Sequence, residues 1–237
     1  MFAVFSTKLV EKSILGANGS SYEERSVRRK DHSDDIEPTI LIVPGLNNSG
    51  PDHWQSHWER DIEDCRRVEL GDWDDPKRNK CVNRLNLAIH RTGRPVVLVA
   101  HSLGCHAVAW WNEYERPEPG GPVVGALLVA PPEVEAGPVD PRLARFAPIM
   151  RQPFPFPTIL AASRDDPYIS FGRARRLARI WKSRFLDAGW LGHINADSSI
   201  GAWPFGKFLL DQLKWTIRPW QPPYQSGPNY SALAGAD

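Results

Sequence analysis

The sequence has few cysteines, no long hydrophobic run and almost no net charge. Its three cysteines, Cys65, Cys81 and Cys105, are an odd number at wide spacing, which argues against a disulfide framework and suits a reducing compartment. Apolar residues form 41% of the 237 residues, yet none of their runs approaches the length of a membrane span. The formal net charge of +1 provides no long-range attraction to nucleic acid or an anionic membrane. We therefore expect a small-molecule partner rather than nucleic acid or a membrane.

The two ends of the chain lack the patterns of folded elements. Lys8, Glu11 and Lys12 interrupt the first apolar stretch, so no signal-peptide core forms, and we expect a soluble, cytoplasmic protein. Residues 1–37 include a densely charged stretch with almost no large apolar side chains and are predicted to be a disordered extension. Residues 218–237 are rich in proline, glycine and serine and are predicted to be a second disordered tail.

Between these ends, strand-like and helix-like patterns alternate over one predicted domain, residues 38–217. The predicted strands are short apolar runs at 39–45, 66–70, 95–100, 123–132 and 158–163, with a short sixth near 185–186. The predicted helices have apolar residues at helical spacing and cover 52–65 with Asp52 as the N-cap, 77–93, 103–114, 171–181 and 205–217. Alternating units of this kind predict an α/β fold, a mostly parallel sheet with helices on both faces.

Ser102 lies at the junction between the most hydrophobic predicted strand and the helix that follows it. The string Ala100-His101-Ser102-Leu103-Gly104 nearly matches the Gly-x-Ser-x-Gly nucleophile elbow, with alanine in the first glycine position. Small residues two before and two after the serine let strand and helix approach closely. A serine there sits at a helix N-terminus, where the helix dipole favours developing negative charge. The alternative is a serine that only caps the helix, and the motif alone does not decide between the two.

The partners that a nucleophilic serine needs follow in the chain order serine, acid, histidine. Asp165 and Asp166 come directly after a predicted strand, and His193 lies in a glycine-flanked loop after the predicted sixth strand. His193 is the only histidine C-terminal to these aspartates. Neighbouring residues in an extended segment point in opposite directions, so only one of the two carboxylates can face His193.

The loop at residues 44–54, after the first predicted strand, is expected to lie beside Ser102. It is rich in glycine, asparagine and serine. The backbone N–H groups of Leu46, in this loop, and Leu103, directly after the serine, form the predicted oxyanion hole.

Two residues are candidates for the substrate pocket, and the sequence predicts no metal site. His53 anchors the loop beside the serine, and Trp190 lies close in sequence to the predicted base. The Pro, Phe, Met and Leu content of the segment 131–157 predicts an apolar pocket wall suited to a small acyl group. His53 and His57 are four apart on a predicted helix, but Trp54 stands where a zinc protease motif requires glutamate.

Four motifs resemble those of the small serine hydrolases related to retinoblastoma-binding protein nine. They are the PG…S…HWQ.HW pattern in 44–58, AHSLG at 100–104, SRDDPYIS at 163–170 and GHIN at 192–195. The resemblance covers about residues 38–217 and implies a compact α/β-hydrolase fold with no large cap domain, no cofactor and modest activity on simple esters. It would make Ser102 the nucleophile, Asp166 the acid and His193 the base. The long charged N-terminus departs from the family pattern.

The favoured function is therefore that of a carboxylesterase-like serine hydrolase that cleaves a small ester through an acyl-enzyme. The intact serine, aspartate and histidine favour an enzyme over a non-catalytic interaction module that keeps the fold, since a fold alone does not imply its function. An acyltransferase or amidase working with the same three residues is the other alternative.

Overall fold

Six parallel strands form one sheet. The computed structural model describes residues 37–137 and 140–217, so the tails predicted at 1–37 and 218–237 lie outside the described residues, apart from Glu37. The strands are β1 (Thr39–Val43), β2 (Cys65–Arg67), β3 (Val96–His101), β4 (Val123–Val129), β5 (Thr158–Ala162) and β6 (Arg184–Asp187). Their order is β2-β1-β3-β4-β5-β6, and every neighbouring pair is parallel. The carboxyl ends of all the strands therefore meet at one edge of the sheet.

Helices cover both faces of this sheet, as the alternating sequence pattern predicts. They are α1 (Trp54–Asp61), α2 (Arg78–Arg91), α3 (Leu103–Glu115), α4 (Pro141–Ala144), α5 (Phe171–Ile180) and α6 (Pro204–Thr216), with a 3₁₀ turn at Ala196–Ser198. Buried residues of α2, α3 and α5 pack on one face, and those of α1 and α6 pack on the other. None of the helices in the described ranges is long and apolar enough to cross a membrane.

Strand β3 lies near the middle of the sheet and is buried along its whole length. Leu98 and Ala100 contribute to the core under α2, α3 and α5, whereas Val97 and Val99 contribute to the core under α1 and α6. A strand covered on both faces needs apolar residues at every position rather than at alternate ones. This is why the apolar run before Ser102 is continuous.

The structure corrects several predicted boundaries. Helix α1 is shorter than the predicted 52–65, and its N-cap is His53 rather than Asp52. The His53 ring Nδ1 accepts a hydrogen bond from the Gln55 N–H at 3.1 Å. The helix ends early because Ile62 is extended and the chain enters β2, which itself covers Cys65–Arg67 and not 66–70. Strand β4 stops at Val129 because Ala130 has a φ of +50°. Helix α4, within the predicted apolar insertion, has no sequence-based counterpart.

Candidate functional site

Ser102 occupies a sharp turn between β3 and α3. Its φ of 53° and ψ of −127° are rare for a residue other than glycine. A Cβ on Gly104 would lie 2.3 Å from the Val43 carbonyl oxygen, and one on Gly45 would lie 2.7 Å from the Ser102 Cβ. The small residues are therefore required by close backbone approach. Ser102 makes no side-chain capping hydrogen bond, which contradicts the reading of Ser102 as a simple helix cap.

Three side chains from separate loops form a hydrogen-bonded chain at the carboxyl edge of the sheet. The Ser102 hydroxyl lies 2.8 Å from His193 Nε2, and His193 Nδ1 lies 3.0 Å from both carboxylate oxygens of Asp166. A carboxylate only accepts hydrogen bonds, so Nδ1 carries the proton and Nε2 accepts from the serine. This arrangement couples a hydroxyl to a base and the base to an anion.

The two adjacent aspartates after β5 point to different partners. Asp166 faces His193, and its Oδ1 also accepts the Tyr168 N–H at 2.9 Å. Asp165 instead accepts from the Ser163 hydroxyl at 2.6 Å and from the Gly192 N–H at 2.9 Å. Only Asp166 is therefore oriented toward the imidazole, whereas Asp165 holds the loop that carries His193 through its hydrogen bond with the Gly192 N–H.

Two buried rings, neither of which the sequence links to this role, hold the His193 loop. The His101 Nε2–H donates to the His193 carbonyl oxygen at 2.9 Å, and the Trp54 indole N–H donates to the Ile194 carbonyl oxygen at 2.8 Å. His193 is thus anchored from β3 and α1 through contacts more than 90 residues apart in the chain. No local pattern could have predicted these pairs, although the histidine inside the AHSLG string was visible.

Two buried histidines lie near His193: His101 next to it and His53 next to His101. The rings of His53 and His101 lie 4.7 Å apart, and those of His101 and His193 lie 5.0 Å apart. Burial lowers the pKa of His53 to about 3, with further lowering by the charges of Arg67 and His193, and burial lowers the pKa of His101 well below its usual value. Both rings are uncharged at neutral pH, so neither opposes the formation of positive charge on His193.

The β1–α1 loop passes directly beside Ser102. Among the described residues, the backbone N–H groups of Leu46 and Leu103 have no hydrogen-bond acceptor. Leu103 is the first residue of α3, where a free N–H and the positive end of the helix dipole coincide.

Arg67, at the end of β2, clamps this loop. Its guanidinium donates to the Asn48 side-chain oxygen at 3.0 Å, to the Ser49 carbonyl oxygen at 2.8 Å and to the Ser56 hydroxyl at 2.7 Å. It also pairs with Glu59 at 2.8 Å. The loop includes Asn47 and Asn48 at positive φ, a conformation that needs such outside support.

Ser102 and His193 line a cavity of about 300 Å³. Its walls are largely polar, and the lining residues are Leu46, Asn47, Asn48, Gly50, His53, His101, Ser102, Leu143, Tyr168, His193, Asn195, Ala196 and Asp197. His53 lies where the sequence analysis expected it, but Trp190 is 70% exposed and does not line this cavity. The apolar wall expected from 131–157 is represented here by Leu143 alone, because Phe146, Phe154 and Phe156 are buried in the core.

The described residues form no metal-binding cluster. Within 37–137 and 140–217, no group of three or more His, Cys, Asp or Glu side chains lies close enough to hold a metal ion. His57 contacts Arg60 on the exposed side of α1, whereas His53 is buried against His101.

Comparisons with known proteins agree with this architecture. A model of the serine hydrolase family matches residues 40–212. A protein described as a YdeN-like hydrolase (ECA3091) from Pectobacterium atrosepticum SCRI1043 is 32% identical, with 77% of this chain and 94% of that chain covered at a TM-score of 0.67. The comparison with curated proteins gives no match.

Two further solved structures resemble the fold. The ydeN gene product of B. subtilis is 20% identical, with 76% of this chain and 100% of that chain covered at a TM-score of 0.61. A protein described as a hydrolase of the α/β superfamily (XCC1541) from Xanthomonas campestris pv. campestris is 21% identical, with coverage of 74% and 99% and a TM-score of 0.50. The α/β-hydrolase fold expected from the sequence is confirmed.

Proposed function

The chain belongs to the serine hydrolase family, and from this premise we propose that it hydrolyses small carboxylic esters through an acyl-enzyme on Ser102. In this proposal His193 is the general base and then the general acid, and Asp166 orients the imidazole. Leu46 and Leu103 supply the oxyanion-hole N–H groups. The observation that carries the proposal is the 2.8 Å contact between the Ser102 hydroxyl and His193 Nε2 inside a cavity of about 300 Å³.

The acylation step moves one proton and exchanges one acyl bond. The Ser102 oxygen attacks the ester carbonyl carbon while His193 Nε2 takes the hydroxyl proton. The carbonyl oxygen becomes an anion, which the two backbone N–H groups stabilise. The bond from the carbon to the alcohol oxygen then breaks, and the alcohol leaves with the proton from His193. The product is an ester between the acyl group and Ser102.

Deacylation repeats the sequence with water. His193 takes a proton from a water molecule, whose oxygen attacks the acyl carbon, and the same N–H groups stabilise the second oxyanion. The bond to Ser102 breaks, the serine oxygen regains its proton from His193, and a carboxylic acid is released. Every step uses protein side chains, backbone N–H groups and water, so the proposal includes no cofactor.

An activity probe and a simple ester test the proposal together. We expect a fluorophosphonate probe to label the wild-type protein on Ser102, and 4-nitrophenyl acetate to be hydrolysed. Ser102→Ala should abolish labelling and lower turnover by several orders of magnitude, because the nucleophile is lost. Thermal unfolding of this variant should match the wild type.

The possible results separate the competing functions. Hydrolysis that persists in Ser102→Ala would overturn the nucleophile assignment. A wild-type protein that neither reacts with the probe nor hydrolyses any of a panel of esters, thioesters and amides would identify a non-catalytic module. Faster turnover of amides than of matched esters would contradict the ester preference.

A further inference from the structure

A second cavity adjoins the one that holds Ser102. Its volume is about 840 Å³, and it is lined by residues of 133–137, by Asp140 and Leu143 at helix α4, and by residues of 166–173. The two cavities share two lining residues, Leu143 and Tyr168. These two side chains therefore form the divider between the cavities.

Tyr168 has a hydrogen-bonded backbone and a half-exposed ring. Its N–H donates to Asp166 at 2.9 Å, and its carbonyl oxygen accepts the Glu133 N–H at 2.9 Å. Its ring lies against the His193 ring, with centroids 4.4 Å apart, and remains 51% exposed. Truncating this side chain leaves both backbone hydrogen bonds available.

The strand order determines which part of a substrate faces the divider. Leu46 follows β1, on one side of the strand that carries Ser102, whereas Tyr168 follows β5, on the other side. The Leu46 N–H and His193 therefore approach Ser102 from opposite sides. His193 must protonate the leaving oxygen, so the alcohol part of an ester lies on the His193 side, against Tyr168.

The second cavity suits an uncharged group. Its ionic side chains have partners. Arg173 contacts Glu133 at 2.7 Å, and Asp140 contacts Arg142 at 2.7 Å. Leu143 and the buried Ile169 add apolar surface to its walls. An ionised substituent would have to break these pairs or remain without a counter-ion.

We infer that the second cavity is the leaving-group subsite for esters of bulky, uncharged alcohols, and that Tyr168 and Leu143 set the size of alcohol that reaches it. The inference rests on the proposed ester hydrolysis at Ser102. It assigns the larger of the two spaces to the alcohol and the smaller, polar one to a short acyl group.

Matched ester pairs test this assignment. The alcohol pair is 4-methylumbelliferyl acetate against 4-nitrophenyl acetate, and the acyl pair is 4-nitrophenyl hexanoate against 4-nitrophenyl acetate. Tyr168→Ala should raise the kcat/KM ratio of the alcohol pair by about tenfold, the scale by which pocket size discriminates substrates. The ratio of the acyl pair should stay within about twofold. Differences in intrinsic reactivity cancel because each ratio is compared between variant and wild type.

Further variants separate the divider from general effects of mutation. Leu143→Ala opens the divider from the other side and should raise the same ratio. Tyr168→Phe keeps the ring and should leave the ratio unchanged. Tyr114→Ala removes an exposed tyrosine from α3, outside both cavities, and should also leave it unchanged.

The possible results distinguish a failure of the subsite inference from a failure of the proposed function. If wild-type protein hydrolyses 4-nitrophenyl acetate through Ser102 but neither ratio moves in Tyr168→Ala, the subsite inference is overturned and the proposed function stands. A rise in the acyl ratio instead of the alcohol ratio also overturns the inference, because the cavity would then receive the acyl group. Absence of any Ser102-dependent hydrolysis in the wild type would overturn the proposed function, and the subsite with it.

Discussion

At the scale of single residues, the two adjacent aspartates differ in what they hold. Asp166 has a side chain only 1% exposed and is the carboxylate that meets His193 Nδ1. Asp165 holds Gly192, the residue before the histidine, through one oxygen. Asparagine also has a side-chain oxygen, so it can replace that second interaction but cannot provide the negative charge of the first.

We therefore predict that Asp166→Asn lowers kcat steeply, by up to about 10⁴-fold if it follows the known effect of this exchange in a serine protease, because the amide favours the wrong imidazole tautomer. Asp165→Asn should lower kcat by no more than about tenfold, since its Oδ1 still accepts the Gly192 N–H. Steady-state kinetics on 4-nitrophenyl acetate under identical conditions compare the two. The opposite order would move the acid to Asp165.

At the scale of elements, the contact between α3 and β1 depends on a single absent methyl group. A Cβ on Gly104 would lie 2.3 Å from the Val43 carbonyl oxygen and 2.7 Å from that of Pro44. Both contacts are with backbone atoms, which cannot rotate away. Ala100, the residue that replaces the first glycine of the elbow motif, is fully buried in the core without such a requirement.

Gly104→Ala should therefore destabilise the protein by about 3 kcal/mol or more, because α3 must move away from the sheet. Gly172→Ala is the matched control, since Gly172 lies at the start of α5 with open space around the new methyl group. That variant should be neutral or stabilised by up to about 1 kcal/mol. Urea unfolding measures both. Equal midpoints for the two variants would refute the argument from close approach.

The β1–α1 loop is a second element whose geometry depends on one side chain. Arg67→Met removes two hydrogen bonds to the loop, one to Ser56 in α1 and the contact with Glu59. We expect a loss of about 2 kcal/mol in unfolding free energy. We also expect kcat to fall by about tenfold or more with little change in KM, because the Leu46 N–H acts on the oxyanion rather than on the bound ester.

Arg94→Met is the control for a lost arginine ion pair at the amino ends of the strands. Arg94 pairs with Asp64 at 2.6 Å and donates to the Glu37 carbonyl oxygen at 2.7 Å, at the end of the strands away from Ser102. Its removal should leave kcat unchanged. A rise in KM alone in Arg67→Met would show that the clamp does not support the oxyanion loop.

At the scale of the whole molecule, buried histidines make stability depend on pH. Burial lowers the pKa of His53 to about 3 and that of His106 to about 4, and it lowers the pKa of His101 well below the unfolded value of 6.5. Between the folded and unfolded pKa values, only the unfolded chain takes up the proton. The contribution of these neutral histidines to the unfolding free energy is therefore fully present above about pH 6.5 and is lost progressively as the pH drops below that value.

We predict that the unfolding free energy decreases from pH 7 to pH 4.5, with each buried histidine contributing up to about 1.4 kcal/mol per pH unit. Asp75 and Asp140, whose partner arginines lower their pKa to about 2, lose their stabilisation only below about pH 4, outside this window. Urea titrations at several pH values measure the slope. His106→Gln can still donate to the Pro132 carbonyl oxygen, and it should lower the slope of unfolding free energy against pH by the amount that corresponds to about one bound proton. An unchanged slope would contradict the assignment.

The sequence by itself determined the order of elements, because continuous apolar runs and helical spacing follow from burial on both faces of a parallel sheet. The elbow at Ser102 was predictable from the sequence because its motif lies within five positions of the chain, although the backbone atoms that require Gly104 belong to Val43 and Pro44. The sequence also placed Asp165, Asp166 and His193 after strands, and parallel strands bring their carboxyl ends to one edge, but the choice of Asp166 over Asp165 came from the resemblance.

Only the tertiary structure decided what surrounds these side chains. The His101 and Trp54 contacts with the His193 loop, the Arg67 clamp and the divider at Tyr168 all join segments that are distant in the chain. The phenylalanines of 131–157 looked like a pocket wall but entered the core, and Trp190 stayed in solvent. Composition records how much apolar surface a segment has, whereas its destination depends on which neighbouring surfaces remain to be covered once the sheet and helices have packed.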